Sequence, residues 1–199
     1  MTNEHPELTA LREGLRKSAP ELPITELFPL FVPRSFFASG KWPGPYELLR
    51  LPGLGLTWAI SQPQQTMRYV DRGIQQYWES QGIRWRERAL MNMQMWSGEK
   101  LWTHEILGDN GRISSVAMMH SDGIGPSRLL FRDKLEALFP EGYLIALPEM
   151  SCGLALSATA SATERRNFEE MVQRCFTKGT RPLVPGIHNP SLLTCLPSE

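Results

Sequence analysis

Residues 121–156 read SDGIGPSRLLFRDKLEALFPEGYLIALPEMSCGLAL, and this stretch decides the fold class. A polar loop with two glycines leads into an apolar helical pattern, which should stop before Pro140 because a proline disfavours helix at the residue preceding it. Short apolar runs follow at 142–147 and 153–157, close enough along the chain to pair as a hairpin. Strands joined by hairpins, with helices set apart from them, are typical of an α+β domain with an antiparallel or mixed sheet.

The rest of the chain extends this pattern over one domain of 199 residues. In residues 55–180 we expect a core sheet of about five strands with helices packed on it. Residues 1–54 are predicted to form an amphipathic helix at 6–18 and then an extended arm rich in proline and aromatic side chains. The arm would pack on its own domain or on a symmetry mate. Residues 181–199 contain four prolines and little periodicity, which predicts an irregular tail.

Two helices are predicted in the middle of the chain. Ser61 followed by Gln64 resembles a capping box, so the first helix should begin at Ser61 and end near Gly82. The second should cover residues 85–96. Its three alternating methionines are spread around the helix, so we expect them to fill the core and not to converge on a metal ion.

A β-hairpin is predicted around Asn110-Gly111, because this pair between two strand-like runs favours a tight hairpin turn. If these two residues form the loop, His104 lies opposite Ala117, and a register shifted by one residue is the alternative. In both registers His104 and His120 are too far apart to bind one metal ion. We expect His104 in the core and His120 at the exit toward the glycine loop.

The composition excludes several classes of partner. Lys and Arg total 21 and Asp and Glu total 21, so the formal net charge is 0 and neither nucleic acid nor an anionic membrane surface is an expected partner. No apolar run approaches the roughly 18 residues of a membrane span, and the first twenty residues do not resemble a signal peptide. Three cysteines without metal-binding spacing indicate free thiols, no cofactor or metal, and a soluble cytoplasmic protein.

The glycine loop, residues 120–128, is the main candidate for a ligand site. Backbone N–H groups at a helix start attract anions, and glycine permits the bend that leads into such a start. The predicted ligand-binding residues are Gly123, Gly125, Ser127 and Arg128. They would bind a small anion such as a phosphate or carboxylate. The spacing matches neither a dinucleotide fingerprint nor a P-loop, so a structural turn capped by Asp122 is the alternative.

Three residues are candidates for catalysis: His120, Asp122 and Cys152. Asp122 could orient His120 as an acid or base. Cys152 would need a base or a positive environment to form a thiolate, whereas the nearby Glu149 should raise its pKa. Cys152 is therefore a nucleophile only if a histidine such as His120 folds next to it.

Several residues occur in the order found in a known family. They are Ala89 and Asn92 in the helical segment ERALMN, Asp122 with Ser127-Arg128-Leu129-Leu130 before the next helix, and Leu147-Pro148 at a strand end. Over roughly residues 55–184 the chain resembles the YtpQ-like family of bacterial proteins. That resemblance implies an α+β cytosolic domain and no particular chemistry. The family's usual Arg-Asp after this proline is here Glu149-Met150.

Two functions follow from these patterns. The first is a non-catalytic binding or regulatory module, oligomeric, with the aromatic arm as its interaction surface. The alternative is a small hydrolase or transferase that acts on an anionic substrate at the 120–128 loop. The sequence alone does not decide whether the protein is an enzyme.

Overall fold

A computed structural model of the chain describes residues 24–38, 40–62, 66–120 and 122–196. The strands are β1 Leu27–Pro33, β2 Tyr46–Leu48, β3 Leu54–Gln62, β4 Thr66–Tyr69, β5 His104–Leu107, β6 Ile113–Met118, β7 Tyr143–Glu149 and β8 Cys152–Ser157. The helices are α1 Arg72–Ser80, α2 Trp85–Ser97, α3 Arg132–Leu138 and α4 Ala162–Lys178. Short 3₁₀ turns occur at Ile24–Glu26, Arg34–Phe37, Gly125–Leu130 and Pro190–Leu193. The helix predicted at 6–18 lies outside the described residues.

The described strands form two antiparallel sheets of four strands each. In the N-terminal sheet, β3 pairs with β1 on one side and with β2 and β4 on the other. The C-terminal sheet has the order β5-β6-β8-β7. The α+β class is confirmed. The strands form two sheets and not one sheet of about five, because β3 pairs with β1, β2 and β4 and with none of the strands β5–β8.

The aromatic arm supplies two strands of the N-terminal sheet. Phe28 and Phe31 lie in β1 and are buried, and Phe37 is buried in the turn that follows. Two of the residues in β1 are prolines, which an edge strand tolerates because one row of its N–H groups has no ladder partner. The structure shows the arm packed on its own domain, which is one of the two packing partners that the sequence allowed.

The helix predicted to begin at Ser61 is wrong. The chain continues as β3 through Gln62 and returns as β4, with Ala59 opposite Tyr69. Helix α1 begins only at Arg72, because the Asp71 carboxylate accepts a hydrogen bond from the Ile74 N–H (2.9 Å) and caps the first turn.

The hairpin prediction is confirmed in the first of its two registers, with His104 opposite Ala117. A bulge between Ile106 and Leu107 then shifts the pairing near the turn. His104 is exposed, so the expectation that it lies in the core is wrong, and its Nδ1 contacts the Thr103 hydroxyl (2.8 Å).

The C-terminal segment connects the two sheets. Ile145 of β7 and His188 exchange two backbone hydrogen bonds, of 2.9 and 2.8 Å. Farther along, the Leu51 N–H donates to the Leu192 carbonyl (2.9 Å), beside the N-terminal sheet. The tail has little regular structure, as expected, yet backbone pairing fixes its described part at both sheets.

The 3₁₀ turn Gly125–Leu130 lies where the two halves of the protein meet. It contacts β8 of the C-terminal sheet and β1 of the N-terminal sheet. Ile124 and Leu129 are fully buried beside it, in the larger apolar core. Helix α2 packs on β1 next to this turn. The predicted glycine loop is therefore located at the junction of the two sheets.

Candidate functional site

Close backbone contacts explain why two positions around the loop are occupied by glycine. A Cβ on Gly125 would lie 2.6 Å from the Ser151 carbonyl oxygen and nearer still to that of Met118. A Cβ on Gly153 of β8 would lie 2.7 Å from the Pro126 Cα. Only glycine lets the turn approach the strand this closely. Gly123 has a φ of 74° and open space around it, so it serves the bend itself.

Arg128 is fully buried and is held by two other residues. Its Nη1 and Nη2 donate to the two carboxylate oxygens of Asp122 at 3.2 and 2.5 Å, and its Nε donates to the Ser97 hydroxyl at 2.8 Å. Asp122 also accepts a hydrogen bond from the Ile124 N–H (3.0 Å). This bidentate geometry is the strong form of a carboxylate–guanidinium pair. The guanidinium is therefore committed to internal partners and is not open to an external anion.

Ser127 and His120 flank this ion pair without hydrogen-bond partners of their own. Ser127 is buried, and its Oγ has no partner among the described residues; the same holds for Nδ1 of the half-buried His120. Burial lowers the pKa of His120, the Arg128 charge lowers it further, and the Asp122 charge acts in the opposite direction. The described contacts of the Asp122 carboxylate are to Arg128 and Ile124, not to His120.

Cys152 faces away from the glycine loop. Side chains alternate along β8, so Gly153 contacts Pro126 while Cys152 belongs to a second apolar cluster on the opposite face. That cluster packs under α4 and also contains Ala117, Ala146, Leu154, Leu156, Phe168 and Val172. The structure therefore brings His120, Asp122 and Arg128 together and leaves Cys152 on the other side of the sheet.

The surroundings of Cys152 keep its thiol protonated. Burial raises its pKa to about 12, with further contributions from the neighbouring Cys175 thiol and from Glu149. Glu149 lies opposite Cys152 across a tight turn, where its carboxylate accepts hydrogen bonds from the backbone N–H (2.6 Å) and hydroxyl of Ser151. The strands of this hairpin extend beyond the predicted runs 142–147 and 153–157, because Met150 and Ser151 alone connect the paired residues.

Two surface concavities lie away from the glycine loop. One, of about 780 Å³, runs between α4 and the C-terminal segment and is lined by Glu169, Glu170, Val172, Gln173, Arg174, Gly186 and Ile187. The other, of about 540 Å³, lies among the turn at 110–114, the end of α3 and the segment after β8. Neither is lined by residues 120–128.

The described part of the chain contains no group of three His, Cys, Asp or Glu residues arranged to hold a metal ion. Within the same part, no helix is long and apolar enough to cross a lipid bilayer.

Helix α2 presents an apolar surface that the sequence prediction missed. Leu90, Met91, Met95 and Trp96 are 38, 54, 62 and 45% exposed, and we call these four residues the α2 face. Residues 89–98 read ALMNMQMWSG and contain no charged side chain. Of the three methionines expected in the core, only Met93 is buried. The uncharged run was the available signal, but apolar content alone does not distinguish a core face from an exposed one.

Comparison of the chain with protein-family models, with curated proteins and with solved structures gives no match. The resemblance to the YtpQ-like family therefore stays a prediction. The functional argument rests on this chain's own geometry.

Proposed function

We propose that the protein is a non-catalytic binding module that assembles with a second copy of itself through the α2 face. The observation that carries this proposal is the exposure of four large apolar side chains on one helix, of which Met91 and Met95 lie one helical turn apart on the same side. Exposed apolar side chains that adjoin one another mark interaction surfaces more often than scattered ones do. The aromatic arm supports such a role less, since its Phe28, Phe31 and Phe37 are buried, while Phe36 and Tyr46 are 42 and 43% exposed.

A second copy of the chain is the partner that the charge pattern favours. In a twofold dimer the same surface faces itself, so any charge on it would meet a like charge. The ten-residue run that contains the α2 face adds no charge to it, and the last charged side chains of the helix before it, Glu87 and Arg88, lie one turn before Met91. Met91 and Met95 add flexible side chains that adapt to an opposing surface. The ring of Trp96 packs against the ring of the buried Phe28, with 4.5 Å between centroids, and this contact holds it in place.

The environments of the predicted catalytic and ligand-binding residues also support a binding role. Arg128 and Asp122 neutralise each other in the interior, and the Cys152 thiol is held protonated on the opposite face of the sheet. The ion pair stabilises the junction of the two sheets, and Cys152 packs in the apolar cluster under α4. We also place the protein in the cytoplasm, in keeping with its three free cysteines.

Light scattering coupled to size-exclusion chromatography tests the proposed assembly. The wild-type chain should elute as a dimer at high concentration, and Met95→Glu should shift it to a monomer because two carboxylates would meet across the twofold axis. Leu107→Glu is the matched control: it places the same charge on an exposed apolar residue of β5 and should leave the dimer intact. A wild-type monomer at every concentration would reject the proposal.

A second candidate function is the binding or conversion of a small anionic substrate beside His120. It is favoured by two buried polar atoms that have no hydrogen-bond partner among the described residues, His120 Nδ1 and Ser127 Oγ. Inorganic phosphate and small carboxylates should then raise the melting temperature of the wild type and not that of His120→Ala. If no anion in such a panel stabilises the wild type, this candidate is excluded.

A further inference from the structure

Two of the three cysteines meet although they are distant in sequence. Cys152 lies at the start of β8, and Cys175 lies in the last turns of α4. Both belong to the apolar cluster between this helix and the C-terminal sheet, and the nearby Cys175 thiol contributes to the raised pKa of Cys152. The backbone geometry also places the two residues in one neighbourhood: the Gly179 N–H donates to the Cys175 carbonyl, and Gly179 packs against the side chain of Glu149, which pairs with Cys152.

We propose that Cys152 and Cys175 form a site of reversible disulfide modification, oxidised by a low-molecular-weight disulfide. The site contains two thiols of one apolar cluster, whereas the third cysteine, Cys195, contacts Glu47 beside the N-terminal sheet. The half-buried Cys175 is the entry point, since it is reachable from solvent whereas Cys152 is buried. This inference does not depend on the α2 face.

The reaction is two successive thiol–disulfide exchanges. The Cys175 thiolate attacks one sulfur of the small disulfide, forms a mixed disulfide and releases one thiolate. Cys152 then gives its proton to solvent, attacks the Cys175 sulfur and releases the second thiolate, which is protonated in turn. Two protein thiols are oxidised to one disulfide, while one small disulfide is reduced to two thiols. The second step should be the slower one, because the pKa of Cys152 is raised to about 12.

The third cysteine provides an internal comparison. Cys195 is exposed, and its thiol donates to the Glu47 carboxylate (2.7 Å) beside the N-terminal sheet. It is therefore accessible to an oxidant, but among the described residues its thiol contacts Glu47 and not another cysteine. Oxidation there should stop at a mixed disulfide.

Closing the disulfide has a structural consequence for one of the two concavities. Cys175 follows directly on Gln173 and Arg174, which line the concavity of about 780 Å³ on α4. A covalent link to β8 would fix the end of this helix against the sheet. The oxidised protein should unfold at a higher temperature than the reduced protein, because the link restricts the unfolded chain.

The test is incubation of the folded wild-type protein with oxidised glutathione at about pH 8.5, where thiolates are populated. Trypsin cuts after Arg165, Arg166, Arg174 and Lys178 and so places the three cysteines on separate peptides. The expected result is a non-reduced peptide pair joining Cys152 to Cys175, accompanied by the loss of two hydrogen atoms from the intact mass. Dithiothreitol should restore the original mass.

Two variants complete the experiment. Cys195→Ser should give the same crosslinked pair, whereas Cys175→Ser should give none. Glutathione adducts that persist on Cys175 without closure would overturn the proposal, as would complete resistance of Cys175 to oxidation or a link from Cys152 to Cys195. Each of these outcomes is read on the folded wild-type protein, so it does not depend on whether a variant folds.

Discussion

Arg128, which has no exposed surface, forms a bidentate ion pair with Asp122, six residues before it in the chain. The same guanidinium donates to Ser97 at the end of α2, and α2 packs on the N-terminal sheet. The turn that carries Arg128 packs on β8 of the C-terminal sheet. One buried side chain thus connects the two halves of the protein.

Breaking this pair should destabilise the fold strongly. Asp122→Ala leaves a buried cation without its counter-charge, and we expect a loss of about 3–5 kcal/mol in the free energy of unfolding. Ser97→Ala removes one hydrogen bond to the same guanidinium and should cost about 1 kcal/mol. Urea denaturation of both variants measures the difference. A loss for Asp122→Ala no larger than that for Ser97→Ala would show that the ion pair is not the dominant contact.

The close approach of the glycine loop to β8 gives a second prediction. Gly153→Ala should destabilise the protein by more than Gly123→Ala, because its Cβ would meet the Pro126 backbone. Gly123→Ala meets no neighbour and should cost about 1–2 kcal/mol through its positive φ alone. Chemical denaturation of the two variants checks the order. A larger loss at Gly123 would contradict the backbone contact.

The locally determined parts of the fold were predictable from the sequence. The Asn110-Gly111 pair marks the place of its hairpin turn, and the residues beside the turn pair in the shifted register, with Leu107 opposite Ile113, until the bulge restores the first register. The capping box of Ser161 and Glu164 likewise starts α4 as its spacing indicates. In both cases the interacting residues are neighbours in sequence, so the pattern contains the whole interaction.

Predictions that depended on distant partners failed. The proline-rich arm was not recognised as strands, because β1 pairs with β3, whose residues lie nearly thirty positions away. The capping-box pattern at Ser61 does not start a helix, because this residue lies in β3 and pairs with β4. The sequence also does not reveal that Arg128 turns inward to Asp122, whereas the predicted anion site at the glycine loop stays a prediction. Asn92 was noted only through the family resemblance, whereas its side-chain amide donates to the Ile24 and Leu27 carbonyls and so fixes the start of β1.

The environment of His120 predicts an acid-sensitive contribution to stability. Its pKa is lowered from the ordinary 6.5, mainly by burial and then by Arg128, so the folded state favours the neutral ring. Its contribution is complete above pH 6.5 and is lost as the pH falls through the lower pKa of the folded state. An NMR titration should therefore place the His120 ring below 6.5, with His120→Gln identifying the signal. The same variant should lose less stability than the wild type between neutral and acidic pH, and an unchanged acid dependence would contradict this assignment.

The thiol of Cys152 predicts the opposite behaviour in alkali. Its pKa is raised from 9.0 to about 12 in the folded state, so the folded protein keeps a proton that the unfolded chain releases. The resulting stability is complete below about pH 9 and is lost progressively as the pH rises toward 12. Between these limits the wild type should lose about 1 kcal/mol of unfolding free energy per pH unit more than Cys152→Ala. The comparison is made on the slope, since the variant also removes packing at every pH. Cys195, whose pKa is raised to about 11, titrates in both proteins and cancels. Equal slopes in urea denaturation from pH 8 to pH 11 would show that Cys152 ionises as freely in the folded protein as in the unfolded chain.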